Sequence, residues 1–239
     1  MWLISNKVKV ADSGLLDGFR DSHCHLLPDV DDGVKQMEET LSILECWEKL
    51  GVREVWLTPH IMEDIPNKPA ELKTKFQDVK AKYGGTIELH LAAENMLDNL
   101  FLGRLDERDL MPIGQEASHL LVETSYYNPP MDLDCMIDRV KELGYIPILA
   151  HPERYRYMDM GDYKKWKEKG VCLQLNVPSL VGAYGPEVQH KAEQLLDKDM
   201  YDIFGSDTHS MRFVDYFLNQ KISNKTLRKI TSLSATQSL

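Results

Sequence analysis

Cysteine is scarce in this sequence, with four among 239 residues. The four lie far apart, at Cys24, Cys46, Cys135 and Cys172, and no two of them form a CxxC pair. A disulfide framework and a zinc–thiolate site both need clustered cysteines, so the sequence predicts neither. Isolated thiols of this kind are typical of a reduced compartment, and we therefore expect a cytoplasmic protein.

Long apolar runs and an excess of basic residues are also missing. No run approaches the roughly 18 residues that span a bilayer, and the start, MWLISNKVKVADSG, has no cleavage site of the signal-peptide kind. Lys and Arg number 28 against 38 Asp and Glu, which gives a net charge of −10. The short apolar runs exclude a membrane span. Binding to phosphate backbones depends on a basic surface, so we also expect no nucleic-acid partner.

Short apolar runs alternate with helical patterns along the chain. The runs occupy 19–25, 53–60, 87–95, 119–125, 146–154, 171–177 and 201–209. The middle runs are almost continuously aliphatic, which is typical of strands buried on both faces. Amphipathic helical patterns follow at 37–47, 136–143 and 162–169, and Pro186 begins another. This alternation predicts a parallel α/β fold, and the even spacing of the polar strand ends favours a closed barrel.

No linker interrupts the series, so we expect a single domain over residues 1–239. Residues 1–18 precede the first predicted strand and are expected to form a surface extension. Residues 232–239 are small and polar, and we expect this end to fray.

The first strand ends in the stretch DSHCHLLPDVDDG, residues 21–33, which contains two histidines one residue apart. Alternate residues of a strand share a face, so both imidazoles point the same way. Other predicted strands also end in His, Asp or Glu, and in a β/α barrel these ends meet on one face. The side chains expected to converge there are His23, His25, Asp32, His60, Glu94, Glu123, His151, Asp207 and His209.

Imidazole and carboxylate without thiolate indicate a site for transition metals, with Mn, Fe and Zn all suitable. The set is too large for one ion and suits two or three. Adjacent ions hold a water, lower its pKa and bind the oxygens of a displacement at phosphorus. His90, His119 and His190 fall away from strand ends, and we expect structural roles for them.

The motifs DSHCH, DVDDG, TPH, AEN, VETS, AHPERY and SDTH follow one another in this order between residues 19 and 210. Together they resemble the polymerase-and-histidinol-phosphatase (PHP) superfamily, and most closely its bacterial metal-dependent protein-tyrosine phosphatases of capsule and exopolysaccharide operons. The resemblance implies a distorted, TIM-like (β/α)7 barrel. It also implies divalent metal ions, with manganese preferred to iron or zinc. It also implies hydrolysis, by metal-bound hydroxide, of phosphotyrosine on an autophosphorylated polysaccharide-export tyrosine kinase.

Site roles also follow from this resemblance. It implies one ion held by His23, His25, Glu94 and Asp207, a second by Glu94, Glu123 and His151, and a third by Asp32, His60 and His209. Arg154 of HPER would bind the phosphate. Family members place a further arginine seven residues after the last aspartate, whereas here Arg212 stands five residues after it, so its catalytic role is left open. The segment after SDTH is shorter than usual, and Asn95 and Met96 replace the aromatic residue that follows AE.

The sequence also bears on several other functions. Cysteine-dependent tyrosine phosphatases need a Cx5R loop, and no cysteine here has arginine six residues later. Metal amidohydrolases often use a carboxylated lysine at the fourth strand, where this chain has Glu123. A small-molecule phosphatase, such as one for histidinol phosphate, remains the closest alternative. A non-catalytic, metal-stabilised PHP module is the alternative from another class. The oligomeric state is left open, a homo-oligomer included.

Overall fold

The structure is a computed structural model, and it describes residues 6–234. Its strands are β1 (Lys7–Lys9), β2 (Arg20–Cys24), β3 (Glu54–Leu57), β4 (His60–Ile61), β5 (Glu88–Leu91), β6 (Glu94–Met96), β7 (His119–Glu123), β8 (Ile146–Ala150), β9 (Cys172–Asn176), β10 (Ile203–Gly205) and β11 (Lys221–Ser223). Its helices are α1 (Met37–Lys49), α2 (Pro69–Lys82), α3 (Phe101–Asp106), α4 (Leu133–Glu142), α5 (Met160–Glu168), α6 (Pro186–Asp197), α7 (Met211–Asn219) and α8 (Asn224–Ser234). Each predicted apolar run contains at least one of these strands.

The main sheet is parallel and is hydrogen-bonded in two parts. One part has the order β10-β9-β8-β7-β6-β4, and the other has the order β2-β3-β5. The predicted runs 53–60 and 87–95 are each split in two, β3 from β4 and β5 from β6. Pro59 lies at the first break, where it has no N–H to donate to a ladder. Backbone hydrogen bonds from Ala92 N–H to Leu57 O (3.0 Å) and from Glu94 N–H to Pro59 O (3.1 Å) continue across the gap.

The sheet curls until its two ends meet. β10 lies beside β2, where Asp207 N–H donates to His23 O (2.8 Å) and His25 N–H donates to Thr208 O (2.9 Å). Together with the flanking helices this gives a mixed α/β fold with a curled parallel sheet, so the predicted fold class is confirmed at that level.

Helices pack apolar faces against the outside of the sheet. The four predicted helical patterns correspond to α1, α4, α5 and α6, and Gly51 just beyond α1 has a φ of +93°, a conformation that glycine adopts readily. The helices α2, α3, α7 and α8 were not predicted. Besides the main hydrophobic core, a second and smaller buried cluster consists of Trp56, Ala92, Ile113, Leu121, Ile148, Ala150 and Ile203. Full burial of an aliphatic side chain contributes about 1.5–3 kcal/mol to the free energy of unfolding.

The expectation of a surface extension at the N-terminus is wrong for the part that the structure describes. β1 pairs antiparallel with β11, and Val10, Leu15 and Leu16 are buried in the core. These apolar side chains are withdrawn from water, which ties the segment to the rest of the protein.

At the other end, residues 232–234 complete α8. The remainder of the tail that we expected to fray lies outside the described residues. None of the helices between residues 6 and 234 has the length and apolar character that crossing a membrane requires.

Candidate metal centre

The structure brings together the nine side chains that the sequence singles out. Glu123 ends β7, whereas His60 and Glu94 begin β4 and β6, just beyond β3 and β5, and the others lie in or after β2, β8 and β10. Within each group the potential ligand atoms are within 4.8 Å of one another. The groups are His25, Asp32, His60 and His209; His23, His25 and Asp207; His23, Glu94 and His151; and His60, Glu94 and Glu123. Shared members make one continuous cluster of imidazole and carboxylate.

Glu94 lies at the centre of this cluster and is fully buried. Its Oε1 accepts a hydrogen bond from His151 Nε2 (2.9 Å), and its Oε2 lies 3.1 Å from both His23 Nε2 and His60 Nδ1. Burial alone would raise the pKa of Glu94, but the surrounding imidazoles, His23 first, hold that pKa well below its usual value. The carboxylate therefore stays ionised and gives the cluster a permanent negative centre.

His23 and His25 are held so that their Nε2 atoms face the cluster. Gln174 Oε1 lies 2.9 Å from His23 Nδ1, and it acts as the acceptor because Gln174 Nε2 donates to Leu175 O and Asn176 Oδ1. His25 Nδ1 donates to Asp31 Oδ2 (2.8 Å). The two Nε2 atoms are then 3.1 Å apart. Orientation of an imidazole by a hydrogen bond at its other nitrogen is usual for metal-binding histidines.

Asp207 presents one oxygen to the cluster and has the other fully engaged. Its Oδ2 accepts hydrogen bonds from Arg154 Nη1 (2.7 Å), Asn176 Nδ2 (2.6 Å) and Tyr184 OH (3.0 Å). Its Oδ1 lies 3.5 Å from His25 Nε2. Burial would raise the pKa of Asp207, but the charges of His23, His209 and Arg154 lower it. Asp207 also has a φ of +51°, a conformation that costs a non-glycine residue energy.

Several buried polar atoms of the cluster form no hydrogen bond: His60 Nδ1, Glu94 Oε2, Glu123 Oε1 and His151 Nδ1. His60 Nδ1 is 2.9 Å from Glu123 Oε1, yet the geometry is not that of a hydrogen bond. A buried polar atom without a partner costs roughly 1–3 kcal/mol. Bound cations would satisfy the lone pairs of His60, Glu94 and Glu123, which converge on one another, and imidazole with carboxylate suits Mn, Fe or Zn. The residues therefore fit divalent transition-metal ions.

The grouping differs from the one that the resemblance implies. His60 faces Glu94 and Glu123 through Nδ1 and lies 3.5 Å from Asp32 through Nε2, so it reaches two groups. His151 lies nearer Glu94 (2.9 Å) than Glu123 (3.8 Å). The Glu94 and Glu123 carboxylates raise the pKa of His60 to about 9, although burial acts in the opposite direction.

Arg154 lies at the mouth of the cluster. It ends a short 3-10 turn after β8, and its guanidinium carbon is 4.3 Å from the ring centre of Tyr126 and 4.4 Å from that of Tyr184. Burial would lower its pKa, but Asp207 and the two tyrosines raise it. Arg154 lines a cavity of about 370 Å³ whose wall also includes Tyr126, Tyr184, Phe213 and cluster residues. The guanidinium is therefore fixed beside the carboxylates and imidazoles.

Arg212 does not reach this cavity. It is exposed in the first turn of α7, whereas its neighbours Ser210 and Phe213 line the cavity. Positions three apart share a helix face, which places Arg212 on another side. His90, His119 and His190 also lie elsewhere: His90 stacks on Trp56, His119 lies beside Ser118 and His190 beside Gln194.

Sequence reasoning missed the residues that orient the cluster, namely Asp31, Gln174, Asn176, Tyr126 and Tyr184. A polar residue inside the apolar run VCLQLNV was a usable signal for Gln174, because buried polar groups need partners. No comparable signal marks Tyr184, which lies outside the strands.

Comparisons with known proteins agree with one another. The family model described as capsular polysaccharide synthesis, CpsB/CapC, matches residues 19–230. The chain is 25% identical to the putative tyrosine-protein phosphatase CapC of Staphylococcus aureus over 216 residues, 87% of this chain and 84% of that protein. It is 25% identical to the tyrosine-protein phosphatase YwqE of Bacillus subtilis over 198 residues, 80% of this chain and 78% of that protein.

A solved structure has the same fold. It is one of the crystal structures of YwqE from Bacillus subtilis and CpsB from Streptococcus pneumoniae, which are described as metal-dependent tyrosine phosphatases. The TM-score is 0.76 at 22% identity, with 90% of this chain and 86% of that chain covered.

Proposed function

Because the chain belongs to the CpsB/CapC family of capsular polysaccharide synthesis, we propose that it is a metal-dependent protein-tyrosine phosphatase. The observation that supports this most directly is the buried imidazole–carboxylate cluster with unpaired ligand atoms beside an oriented arginine. We also infer that the curled sheet is a distorted (β/α)7 barrel of PHP type, because hydrogen bonds join its first and last strands. We propose that the chain forms one phosphoesterase domain over residues 1–239, since no linker interrupts it and the segment before residue 19 packs on the rest through β1 and Val10.

We propose that two or three divalent transition-metal ions, manganese first, bind this cluster. The ligands proposed are His23, His25, Asp32, His60, Glu94, Glu123, His151, Asp207 and His209. Ions bound there would supply an activated water and would offset the negative charge of the phosphate.

The chain's own contribution at the mouth of the site is to bind and orient the phosphate. One guanidinium N–H of Arg154 donates to Asp207, and its other guanidinium N–H groups have no hydrogen-bond partner among residues 6–234. A guanidinium suits two phosphate oxygens at once, with paired charge-assisted hydrogen bonds. A phenoxide, with a pKa near 10, leaves far more easily than a serine alkoxide. The site should therefore prefer phosphotyrosine to phosphoserine.

The proposed protein substrate is an autophosphorylated tyrosine kinase of polysaccharide export, in the cytoplasm. This proposal rests on the family and on the tyrosine-phosphatase names of its relatives.

One assay panel tests this function. With Mn²⁺ added, we expect kcat/KM on a phosphotyrosine peptide to exceed that on a matched phosphoserine peptide by about a hundredfold or more, because the aryl oxygen is the better leaving group. Histidinol phosphate is the third substrate. Equal rates on both peptides, or a preference for histidinol phosphate, would contradict the proposal. No turnover of any substrate by the metal-loaded protein would favour a non-catalytic module.

A cysteine-free variant tests whether a thiol takes part. Cys24 is buried with its Sγ directed at Trp56 O (3.4 Å), and burial raises the pKa of Cys24 well above its usual value. Burial likewise raises the pKa of Cys172 to about 11. Neither is a thiolate at neutral pH. Replacement of all four cysteines by serine should leave kcat/KM within a few-fold, once the melting temperature shows that the variant is folded. A phosphocysteine trapped during turnover would refute this prediction.

A further inference from the structure

A second cavity adjoins the first. Its volume is about 520 Å³, and Arg154 and Tyr184 line both cavities. Its other walls include Arg156 and Lys191 together with the start of α6. A group bound at Arg154 therefore lies beside this cavity, across a wall of two side chains.

Arg156 offers an unengaged guanidinium at this cavity. Its backbone N–H donates to Tyr126 O (2.8 Å), which fixes the residue relative to the loop after β7. Its guanidinium carbon lies 4.9 Å from the ring centre of Tyr127, and among residues 6–234 it has no ion-pair partner. Stacking on an aromatic ring engages the face of a guanidinium and leaves the N–H groups at its edge free. The guanidinium edge of Arg156 can therefore donate hydrogen bonds to an anion.

Lys191 adds a second positive charge. Its Nζ donates to Tyr155 O (2.7 Å) and Met158 O (3.0 Å), and it forms no ion pair in the described part of the chain. An ammonium has three N–H groups, so one is left for a ligand. The carbonyl groups hold the ammonium in place without neutralising it.

The acidic residues of the cavity, Glu153 and Glu187, form no ion pair with Arg156 or Lys191 in the described part of the chain. Glu153 is buried, and its carboxylate accepts hydrogen bonds from Asn176 N–H (3.0 Å), Ser179 OH (2.8 Å) and Tyr201 OH (3.0 Å). Glu187 is the exposed acidic side chain of the lining. Arg154 already pairs with Asp207, and Asp159 and Asp162 lie near Lys191 in addition to these two acids. Arg156 is therefore the cation of this lining on which an added anion would depend most.

We propose that this cavity is a second anion subsite, which binds an acidic side chain close to the phosphotyrosine in the substrate polypeptide. The inference rests on the proposed phosphatase function and adds a sequence preference to it. An extended chain advances about 3.3 Å per residue, so a side chain one or two positions from the phosphotyrosine can reach the neighbouring cavity. The anion is either a carboxylate or a second phosphate, since a guanidinium edge binds both.

The experiment compares matched phosphotyrosine peptides, with p-nitrophenyl phosphate as a substrate that has no flanking residues. One peptide has neutral flanks, one has glutamate at the two positions on either side, one has a second phosphotyrosine, and one has lysine in place of glutamate. The proteins are the full Mn-loaded chain, Arg156→Gln, Arg156→Glu and the control Arg53→Gln. Arg53 is exposed just before β3, at the opposite end of the strands, and its replacement makes the same change in charge.

For the unmodified chain we expect kcat/KM to be about three- to ten-fold higher on the acidic peptides than on the neutral one, as for a partly exposed charge contact. Arg156→Gln should abolish this preference, and Arg156→Glu should transfer it to the lysine peptide. Both variants should keep the full rate on p-nitrophenyl phosphate, and Arg53→Gln should behave as the unmodified chain. The glutamate and phosphate arms distinguish the two sources of the anion.

An equal acidic-to-neutral ratio in the unmodified chain and Arg156→Gln would overturn the subsite. Failure of the phosphatase proposal gives a different result, namely no turnover of any aryl phosphate. In that case the subsite is tested by binding. The same peptides are made with a non-hydrolysable phosphonate in place of the phosphotyrosine, and their dissociation constants are measured. If Arg156→Gln does not change the ratio of these constants, the subsite is refuted whatever the enzyme does.

Discussion

Replacement of Glu94 by glutamine is expected to lower kcat/KM on a phosphotyrosine peptide by roughly three orders of magnitude, or about 4 kcal/mol of transition-state stabilisation. Glu94 touches imidazoles of His23, His60 and His151 from a fully buried position. The amide has nearly the same shape, but it removes the central negative charge and directs an NH₂ group at nitrogen atoms. Cations should therefore bind less tightly.

Metal content and thermal stability report this change independently of turnover. Elemental analysis should find at least one ion fewer per chain in Glu94→Gln than in the unmodified protein. Mn²⁺ at a hundred times its Kd should stabilise the unmodified protein by about 2.7 kcal/mol, which raises Tm by roughly 5–10 °C, and should have a smaller effect on the variant. Glu88→Gln is the control, because Glu88 is exposed at the far end of the preceding strand. A Glu94→Gln protein with full metal content and normal kinetics would show that the cluster is not the active centre.

Replacement of Arg154 by alanine is expected to cost roughly 2–4 kcal/mol of transition-state stabilisation, about 30- to 1,000-fold in rate, with metal retained. The guanidinium is fixed between Tyr126 and Tyr184 and bonded to Asp207, so it meets a phosphate without further ordering. Arg154→Lys should recover only part of the rate, because an ammonium cannot make the paired contact. Steady-state kinetics on a phosphotyrosine peptide, with metal analysis of each variant, measures this.

Two other arginines calibrate this result. Arg139→Ala removes a partly buried arginine of α4 that pairs with Asp106 and Glu142, away from the cavity, and it should leave the rate unchanged. Arg212→Ala should also change the rate less than twofold, because Arg212 does not line the cavity. If Arg212→Ala is as slow as Arg154→Ala, the geometry of α7 differs during turnover. A fully active Arg154→Ala would remove Arg154 from the phosphate site.

The cluster itself was predictable because strand ends leave a strong pattern in the sequence. A buried parallel strand is almost wholly apolar, so a His, Asp or Glu at its end stands out, as His60 and Glu123 do. The parallel arrangement then requires all such ends to share one edge. The same logic predicted the strands themselves, including the regions that contain β7, β8 and β9.

The remainder depends on tertiary contacts that leave weaker patterns. The helix α2 is mostly polar on the surface and buries Leu72, Phe76 and Val79, so its periodicity is faint. Asp31 and Asp32 are adjacent, and the sequence does not distinguish their roles. In the structure Asp31 faces His25 Nδ1, whereas Asp32 faces His209. A backbone turn decides which carboxylate faces the cluster, and a sequence does not state that turn. The break at Pro59 is a similar case, because the division of one apolar run into β3 and β4 can be recognised only when the neighbouring strands are known.

The junction between β2 and β10 has a consequence for how the protein folds. Asp21 accepts hydrogen bonds from the backbone N–H and the hydroxyl of Ser206, 185 positions further along the chain. His23 and His25 are synthesised early, whereas Asp207 and His209 join them only when this long loop closes. Closure of so long a loop is entropically costly, and folds dominated by distant contacts form slowly. The cluster is therefore complete only in molecules whose β2 and β10 have met, and an ion that needs ligands from both ends of the sheet distinguishes these molecules from the others.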